Sequence, residues 1–280
     1  MNIDVTSLKA LREKTGAGMM DCRKALAQAQ GSLEAAEILI KEWGLNEVEK
    51  RAERKTSEGF VAVAADTTRI TIAALACETD FVARNEAFSS LARSIALSVL
   101  TMGSDPNGCL DEVADLGRRM KENIVLKGVE TLEVGEGEIS DYYIHGDGRI
   151  AAAVKAAPRG ANQDPARTLA AIHDLCLQVA AKKPLYLSAA LVPAEVSGAK
   201  EKEFLSEMES DPKLAGKPQA MVQGILAGKV KKWLSEVCLM EQRFIKEEKS
   251  TVGQYMAEME ASGGPALEVL EFRRLAIGDD

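Results

Sequence analysis

The sequence predicts an α+β protein with a three-helix N-terminal domain, two related α+β core subdomains and a projecting antiparallel helical hairpin. Three observations carry this expectation. Apolar residues recur at helical spacing over the first 45 or so positions. Two pairs of β-rich runs, each followed by a helical stripe, occur in the same order further on. The stretch from Val192 to Val237 is rich in Glu, Lys, Ala and Met and turns once in its middle. With 280 residues, 46% of them hydrophobic and 28% charged, the chain is long enough for two or three units with real cores.

In the first domain, Val5, Leu8 and Leu11 mark one helix. Met19, Cys22, Leu26 and Ala29 mark a second with that stripe toward the core, and Leu33, Ala36, Ile40 and Trp43 a third. Thr15-Gly16-Ala17-Gly18 separates the first two, Gly31-Ser32 supplies a turn and an N-cap, and Gly44 sits where a C-cap glycine belongs. Residues 1–45 thus form one domain. From Asn46 to Glu58 charged residues dominate, as in a solvated helix or a charged linker.

Core subdomain N is expected over residues 59–140. Gly59 to Ala64 and Arg69 to Cys77 read as a hairpin turned through Asp66-Thr67-Thr68. Phe88, Leu91, Ile95, Val99 and Met102 follow as a helical stripe ending before Gly103. Asp105-Pro106-Asn107-Gly108 is a loop, Leu116 to Val125 a further helix, and Val129 to His145 holds strand-like pieces broken by Gly135 and Gly137.

Core subdomain C takes residues 141–191 and 238–280. A turn at Gly146-Asp147-Gly148 leads into a strand from Ile150 to Ala156, and Leu169, Ile172, Leu175, Cys176 and Val179 mark a helix. Residues 192–237 form the helical hairpin, coiled-coil-like, turning at Leu214-Ala215-Gly216-Lys217-Pro218. Val222, Leu226, Val230, Trp233 and Val237 lie on one face of its returning helix. Strand and short-helix signals resume from Leu239 to Ile277.

Composition excludes several functions. Lys and Arg total 35 against 43 for Asp and Glu, a formal charge of -8, with the cations scattered among acids. Direct nucleic-acid binding is therefore not expected, since it needs cations concentrated on phosphates. Aromatics at 4% give no stacking platform. Cys22, Cys77, Cys109, Cys176 and Cys238 are dispersed, without a CxxC pair, as in reduced thiols of a cytoplasmic protein. Met1-Asn2-Ile3-Asp4 lacks the basic start and apolar run of a signal peptide, and no stretch has membrane-span length, so no membrane association is expected.

Catalytic signals are sparse. The two histidines, His145 and His173, cannot be paired with a Ser or Cys from sequence. The clusters Gly16-Ala17-Gly18, Gly135-Glu136-Gly137 and Gly146-Asp147-Gly148 lack a phosphate-cradle context, and two carry an acid that would repel phosphate. No metal-ligand spacing occurs, so no catalytic residue, metal or cofactor is expected.

Two segments are less easily explained by folding. Met20 lies beside the core stripe with Arg23, Lys24 and Ala27, and suits a protein contact if exposed or a wide core stripe if buried. Glu78-Thr79-Asp80-Phe81-Val82-Ala83-Arg84-Asn85 lies between the strand ending at Cys77 and the long helix, a rigidly flanked place to present a wedge. Yet Phe81 is spaced by sevens from Phe88, Ile95 and Met102. Periodicity alone therefore favours a buried Phe81 and a capping Thr79 or Asp80.

At these residues the chain resembles the bacterial elongation factor Ts family. The run from Leu11-Arg12-Glu13-Lys14 through Thr15-Gly16-Ala17-Gly18-Met19-Met20-Asp21-Cys22 to Arg23-Lys24-Ala25-Leu26 is similar to that family's ubiquitin-associated-like domain signature. Thr79-Asp80-Phe81-Val82-Ala83 is similar to its second signature. The likeness extends to His145-Gly146-Asp147-Gly148-Arg149-Ile150, Ala180-Ala181-Lys182-Lys183-Pro184, Gln242-Arg243-Phe244-Ile245-Lys246 and Thr251-Val252-Gly253, and so spans nearly the whole chain. The resemblance implies a guanine-nucleotide exchange factor for elongation factor Tu, the GTPase that carries aminoacyl-tRNA to the ribosome. Thr79, Asp80, Phe81 and Val82 would disturb the partner's magnesium site, and Arg12, Met19 and Met20 would anchor N-terminal docking.

There are departures from the family pattern. Asp174 and Gln178 stand where members commonly carry a pair of histidines, and the chain stops at Gly278-Asp279-Asp280 without the C-terminal helical module of some relatives. The hairpin could dimerise the protein, contact the GTPase, or both. An adaptor that merely tethers a partner is the competing expectation, and a small-molecule enzyme a third.

Overall fold

The computed structural model describes residues 4–15, 17–159, 164–211, 214 and 217–279, the side chains of residues 44–50 excepted. Gly16, Ala215 and Gly216 of the turns expected above, Met1-Asn2-Ile3 and Asp280 lie outside the described residues. The architecture is α+β, and the chain divides into two compact units. One comprises Met1–Ala64, Ala73–Val129 and Ala276–Asp280, the other Ala65–Ile72 and Glu130–Leu275.

In the first unit, α1 (Val5–Thr15), α2 (Met19–Gln28) and α3 (Leu33–Ala52) enclose a small core of Leu11, Cys22, Ala25, Leu26 and Ala36. Gln30 and Gly31 take left-handed backbone conformations that stop α2, and the Gly31 amide donates to the Leu26 carbonyl at 2.9 Å. Ser32 caps α3, accepting from the Ala35 amide at 3.3 Å.

Two expectations fail here. Gly44 is not a C-cap, because α3 runs on through it to Ala52. An interior glycine costs a helix only about 1 kcal/mol, which the Glu, Lys and Arg that follow, good helix formers, readily offset. The charged stretch from Asn46 is accordingly helical up to Ala52. Met19 is the second case: it is 42% exposed, because it opens α2 one turn ahead of the Cys22, Ala25 and Leu26 face that fills the core.

Strands β1 (Glu58–Ala65) and β2 (Arg69–Cys77) form the expected hairpin, and β3 (Val125–Glu133) completes a sheet of order β1-β2-β3. The turn is set by Asp66, whose carboxylate accepts from the Thr68 amide at 2.6 Å, the Thr68 hydroxyl at 2.8 Å and the Arg69 amide at 2.9 Å. Those bonds hold its carboxyl below the usual carboxylate range. As the middle strand, β2 is buried from Ile70 to Cys77, which is why it reads as an unbroken apolar run.

After α4 (Asp80–Ala83), α5 (Glu86–Met102) buries Phe88, Ile95 and Leu100 and ends at Gly103 in a left-handed C-cap. Met102, expected in the core stripe, is the last residue of that helix and is exposed. Residues expected as a loop form a 3-10 turn, Pro106–Cys109, capped by Asp105. The helix placed at Leu116 to Val125 is instead α6 (Leu110–Met120), and Val125 opens β3. Its ends suit the helix dipole, with Asp111 and Glu112 in the first turn and Arg118 and Arg119 in the last; Lys121 stops it at φ 60.

In the second unit, β4 (Ile139–His145) and β5 (Ile150–Pro158) pair antiparallel from Ile139 opposite Ala156 to His145 opposite Ile150. Gly146, Asp147 and Gly148 all have left-handed φ in the turn, which two glycines make inexpensive. Helix α7 (Pro165–Lys182) packs on both strands through Ile172, Leu175, Cys176 and Val179. Then α8 (Ala194–Glu209) and α9 (Gln219–Val237) form the antiparallel hairpin. Lys229 of α9 meets Glu207 at 2.8 Å and lies over the Phe204 ring of α8 at 5.3 Å.

The chain closes with β6 (Arg243–Phe244), β7 (Glu247–Thr251), α10 (Val252–Ala261) and β8 (Leu267–Ala276), which joins the second sheet in the order β4-β5-β8. Phe244 is fully buried and stacks on Tyr255 at 4.2 Å between ring centroids. Both sheets therefore follow one plan: a hairpin, a helix after it, and a third strand laid beside the hairpin's second strand.

Gly59 provides a test of the first sheet. A Cβ there would stand 2.3 Å from the Leu75 carbonyl oxygen and 2.9 Å from the Ala76 Cα, both backbone atoms that cannot rotate away. Gly59→Ala is expected to destabilise the protein by about 3 kcal/mol, measured by urea unfolding.

Candidate functional site

The corner after β2 is built from backbone hydrogen bonds. Thr79 is extended and caps α4, its hydroxyl accepting from the Val82 amide at 3.4 Å. The single turn is closed by Ala83 N–H to Thr79 O at 3.2 Å and Arg84 N–H to Asp80 O at 3.0 Å. Asn85 then caps α5, accepting from the Ala87 amide at 2.9 Å while its own amide donates to Val82 O at 2.9 Å. Val82 is the inward residue, packed with Leu75, Cys77 and Phe88 in the core of the first unit.

Phe81 is not buried. It is 82% exposed, against the periodic expectation. The spacing by sevens assumed one continuous helix, but Arg84 and Asn85 break α4 from α5, so the register of Phe88 and Ile95 does not reach back to Phe81. Asp80, on the same turn, is half-exposed and lies 3.7 Å from Arg84.

A residue that sequence reasoning missed fixes this corner. One oxygen of the Glu122 carboxylate accepts from the amides of Glu78 and Thr79, each at 3.1 Å, and the other accepts from the Thr79 hydroxyl at 2.5 Å. Glu78 in turn accepts from the Asn123 amide at 2.6 Å and pairs with Arg54 at 3.3 Å. The Asn123 side chain donates to the Arg54 carbonyl at 2.9 Å and the Ala52 carbonyl at 3.4 Å. Residues just past α6 thus bind the corner to the end of α3. No local sequence signal marks this, because Glu122 lies far along the chain from Thr79.

The other candidates of the N-terminal domain are on the surface. Met20 is 71% exposed, which settles the open alternative between surface and core, and Arg12 on α1 is exposed as well. An unbranched Met in water beside Arg23 and Lys24 is an adaptable apolar contact.

The remaining reactive groups are engaged elsewhere. His145 Nδ1 lies 2.9 Å from the Tyr143 hydroxyl and His173 Nδ1 2.8 Å from Asp141. The Cys176 thiol donates to the Asp141 carbonyl at 3.2 Å, and burial pushes its pKa up. Burial also pushes the Cys238 thiol up to about 11. Gln178 is fully buried: it donates to Gln242 at 3.1 Å and to the Arg243 carbonyl at 3.2 Å, and accepts from the Ile245 amide at 2.9 Å. Asp174 pairs with Lys246 at 2.5 Å. Among the described residues no group of three or more His, Cys, Asp or Glu could hold a metal ion, and no helix is long and apolar enough to cross a membrane.

The family model described as Elongation factor TS matches residues 78–279, beginning at Glu78 of the corner. The Elongation factor Ts of Treponema denticola is 36% identical, over 99% of this chain and all of that protein. That of Borrelia recurrentis is 37% identical over 99% of this chain and all of its own length, and that of Nitratidesulfovibrio vulgaris strain DP4 36% over all of this chain and 97% of its own. This chain belongs to the elongation factor Ts family. It is a translation elongation factor, with its place in protein biosynthesis.

Exposure separates the two apolar residues of the corner. Phe81→Ala is expected to change the unfolding free energy by less than about 0.5 kcal/mol, and Val82→Ala to lower it by about 1.5 kcal/mol. Paired denaturant titrations check both.

Proposed function

We propose that this protein binds elongation factor Tu·GDP and promotes GDP release by intruding at the magnesium and phosphate site. The observation that carries the reading is Phe81: an aromatic side chain 82% in water on a turn pinned at both ends. Folding of this chain derives little from holding that ring outward, whereas a partner's apolar pocket would gain from it. Asp80, on the same turn, brings a carboxylate to the same place.

Magnesium neutralises the phosphates of a bound nucleotide, so disturbing it removes a large local charge and loosens GDP. The effect is reciprocal: whatever ratio the factor imposes on GDP affinity, GDP imposes on the factor's affinity. A tenfold effect requires about 1.4 kcal/mol of differential contact. Burying one Phe contributes roughly 1.5 to 3 kcal/mol, so Phe81 alone is sufficient in magnitude. In this reading the three-helix domain docks through Arg12, Met19 and Met20, and the protein itself performs no covalent chemistry.

Catalytic amounts of the protein are expected to accelerate release of labelled GDP from elongation factor Tu, and an unchanged rate at saturating protein would sink the proposal. Phe81→Ala should depress release while keeping the fold. An adaptor would bind without accelerating release, and Phe81→Ala would then leave the nucleotide kinetics unaltered.

Met20→Ala should weaken the complex, read as a rise in Kd by calorimetry, of about three- to tenfold for one apolar contact. Its melting temperature should stay near that of the parent.

A further inference from the structure

We infer that Glu122 is a positioning residue for nucleotide release, setting the angle at which the Asp80-Phe81 turn is presented. The inference rests on the proposed exchange role of that turn. Cys77 ends β2, and at the next two residues the Glu78 and Thr79 amides donate to a side chain instead of a neighbouring strand. Glu122 takes both on one carboxylate oxygen and the Thr79 hydroxyl on the other. Three donors from two consecutive residues converging on one carboxylate fix the backbone direction entering α4.

That direction has few other determinants. A one-turn helix supplies two internal backbone bonds and one cap, the Cys77 thiol adds one weak bond to the Thr79 carbonyl at 3.2 Å, and Phe81 makes no core contact that could hold it. With Glu122 removed, Val82 would still anchor the turn inward, but Thr79 could rotate and carry Phe81 with it. Glu122 itself is fixed by its neighbour: the Asn123 amide donates to Glu78, and its side chain grips the Ala52 and Arg54 carbonyls. The effect falls on the productive geometry of the bound complex, and the docking surface around Met20 is untouched.

The test measures release of a fluorescent GDP analogue from elongation factor Tu against concentration of the full-length protein, yielding a maximal rate and a half-saturating concentration. Glu122→Ala is expected to lower the maximal rate about tenfold, with the half-saturating concentration moving less than about threefold. Amide hydrogen exchange at Glu78 and Thr79 should accelerate in that variant. Glu122→Gln should recover the rate to within about threefold, since its carbonyl can accept both amides and its amide can donate to the Thr79 hydroxyl.

A full maximal rate in Glu122→Ala alongside a lost rate in Phe81→Ala overturns the positioning role and leaves the exchange role standing. A full rate in Phe81→Ala means that the exchange role of the corner is what fails. Equal losses in Glu122→Ala and Glu122→Gln would assign the effect to the charge and overturn the hydrogen-bond account. If Glu122→Ala does not fold, Glu122→Asp decides. It keeps the charge with the carboxylate one methylene short, so an undiminished rate there overturns the inference.

Discussion

At the end of a central strand two amides need acceptors, and here a single carboxylate supplies them. The Glu122 bonds to Glu78 and Thr79 are charge-assisted, a class in which each bond contributes about 1.5 to 3 kcal/mol. What depends on them is wider than one turn. Thr79 can cap α4 only from its extended conformation, α4 places Val82 inward, and Asn85 then starts α5 in register with the buried face of β2. Asn123, next to Glu122, carries the same connection back to the last residues of α3.

Much of the fold was legible in the sequence where the deciding interactions are local. Asp66-Thr67-Thr68 and Gly146-Asp147-Gly148 declare their hairpins through side-chain acceptors and left-handed backbone, and the apolar runs of β2 and β5 declare central strands. Helix ends were less legible. Gly44 carried a stop signal weaker than the helix formers around it, and the end of α6 is set by a left-handed Lys121, a conformation that Lys does not advertise.

The corner was legible as a strand-to-helix junction and not in its construction. A seven-residue spacing is evidence for burial only while one helix persists, and the break at Arg84-Asn85 removes that condition for Phe81. Glu122 and Asn123 act across the fold, so no window of sequence could connect them with Thr79. The second sheet offers a parallel. Gln178 stands where the family resemblance expects a histidine, and it is fully buried and satisfied by Gln242, the Arg243 carbonyl and the Ile245 amide. Its chemistry is that of a core hydrogen-bond hub tying α7 to β6.

The one-turn helix also bears on the entropy of association. Ordering a flexible loop on binding costs about 1 to 2 kcal/mol for each residue whose backbone must be fixed. Between Thr79 and Asn85 most of that cost has already been met by folding, because Thr79, Val82, Ala83, Arg84 and Asn85 are each capped or hydrogen-bonded and hold Phe81 inside the turn they close. What is left to freeze at Phe81 is a side chain with two torsions, among the least costly ways to bring so much apolar surface to a contact. In the proposed complex, pre-organisation of this kind would leave most of the contact energy free to act on whatever the ring displaces.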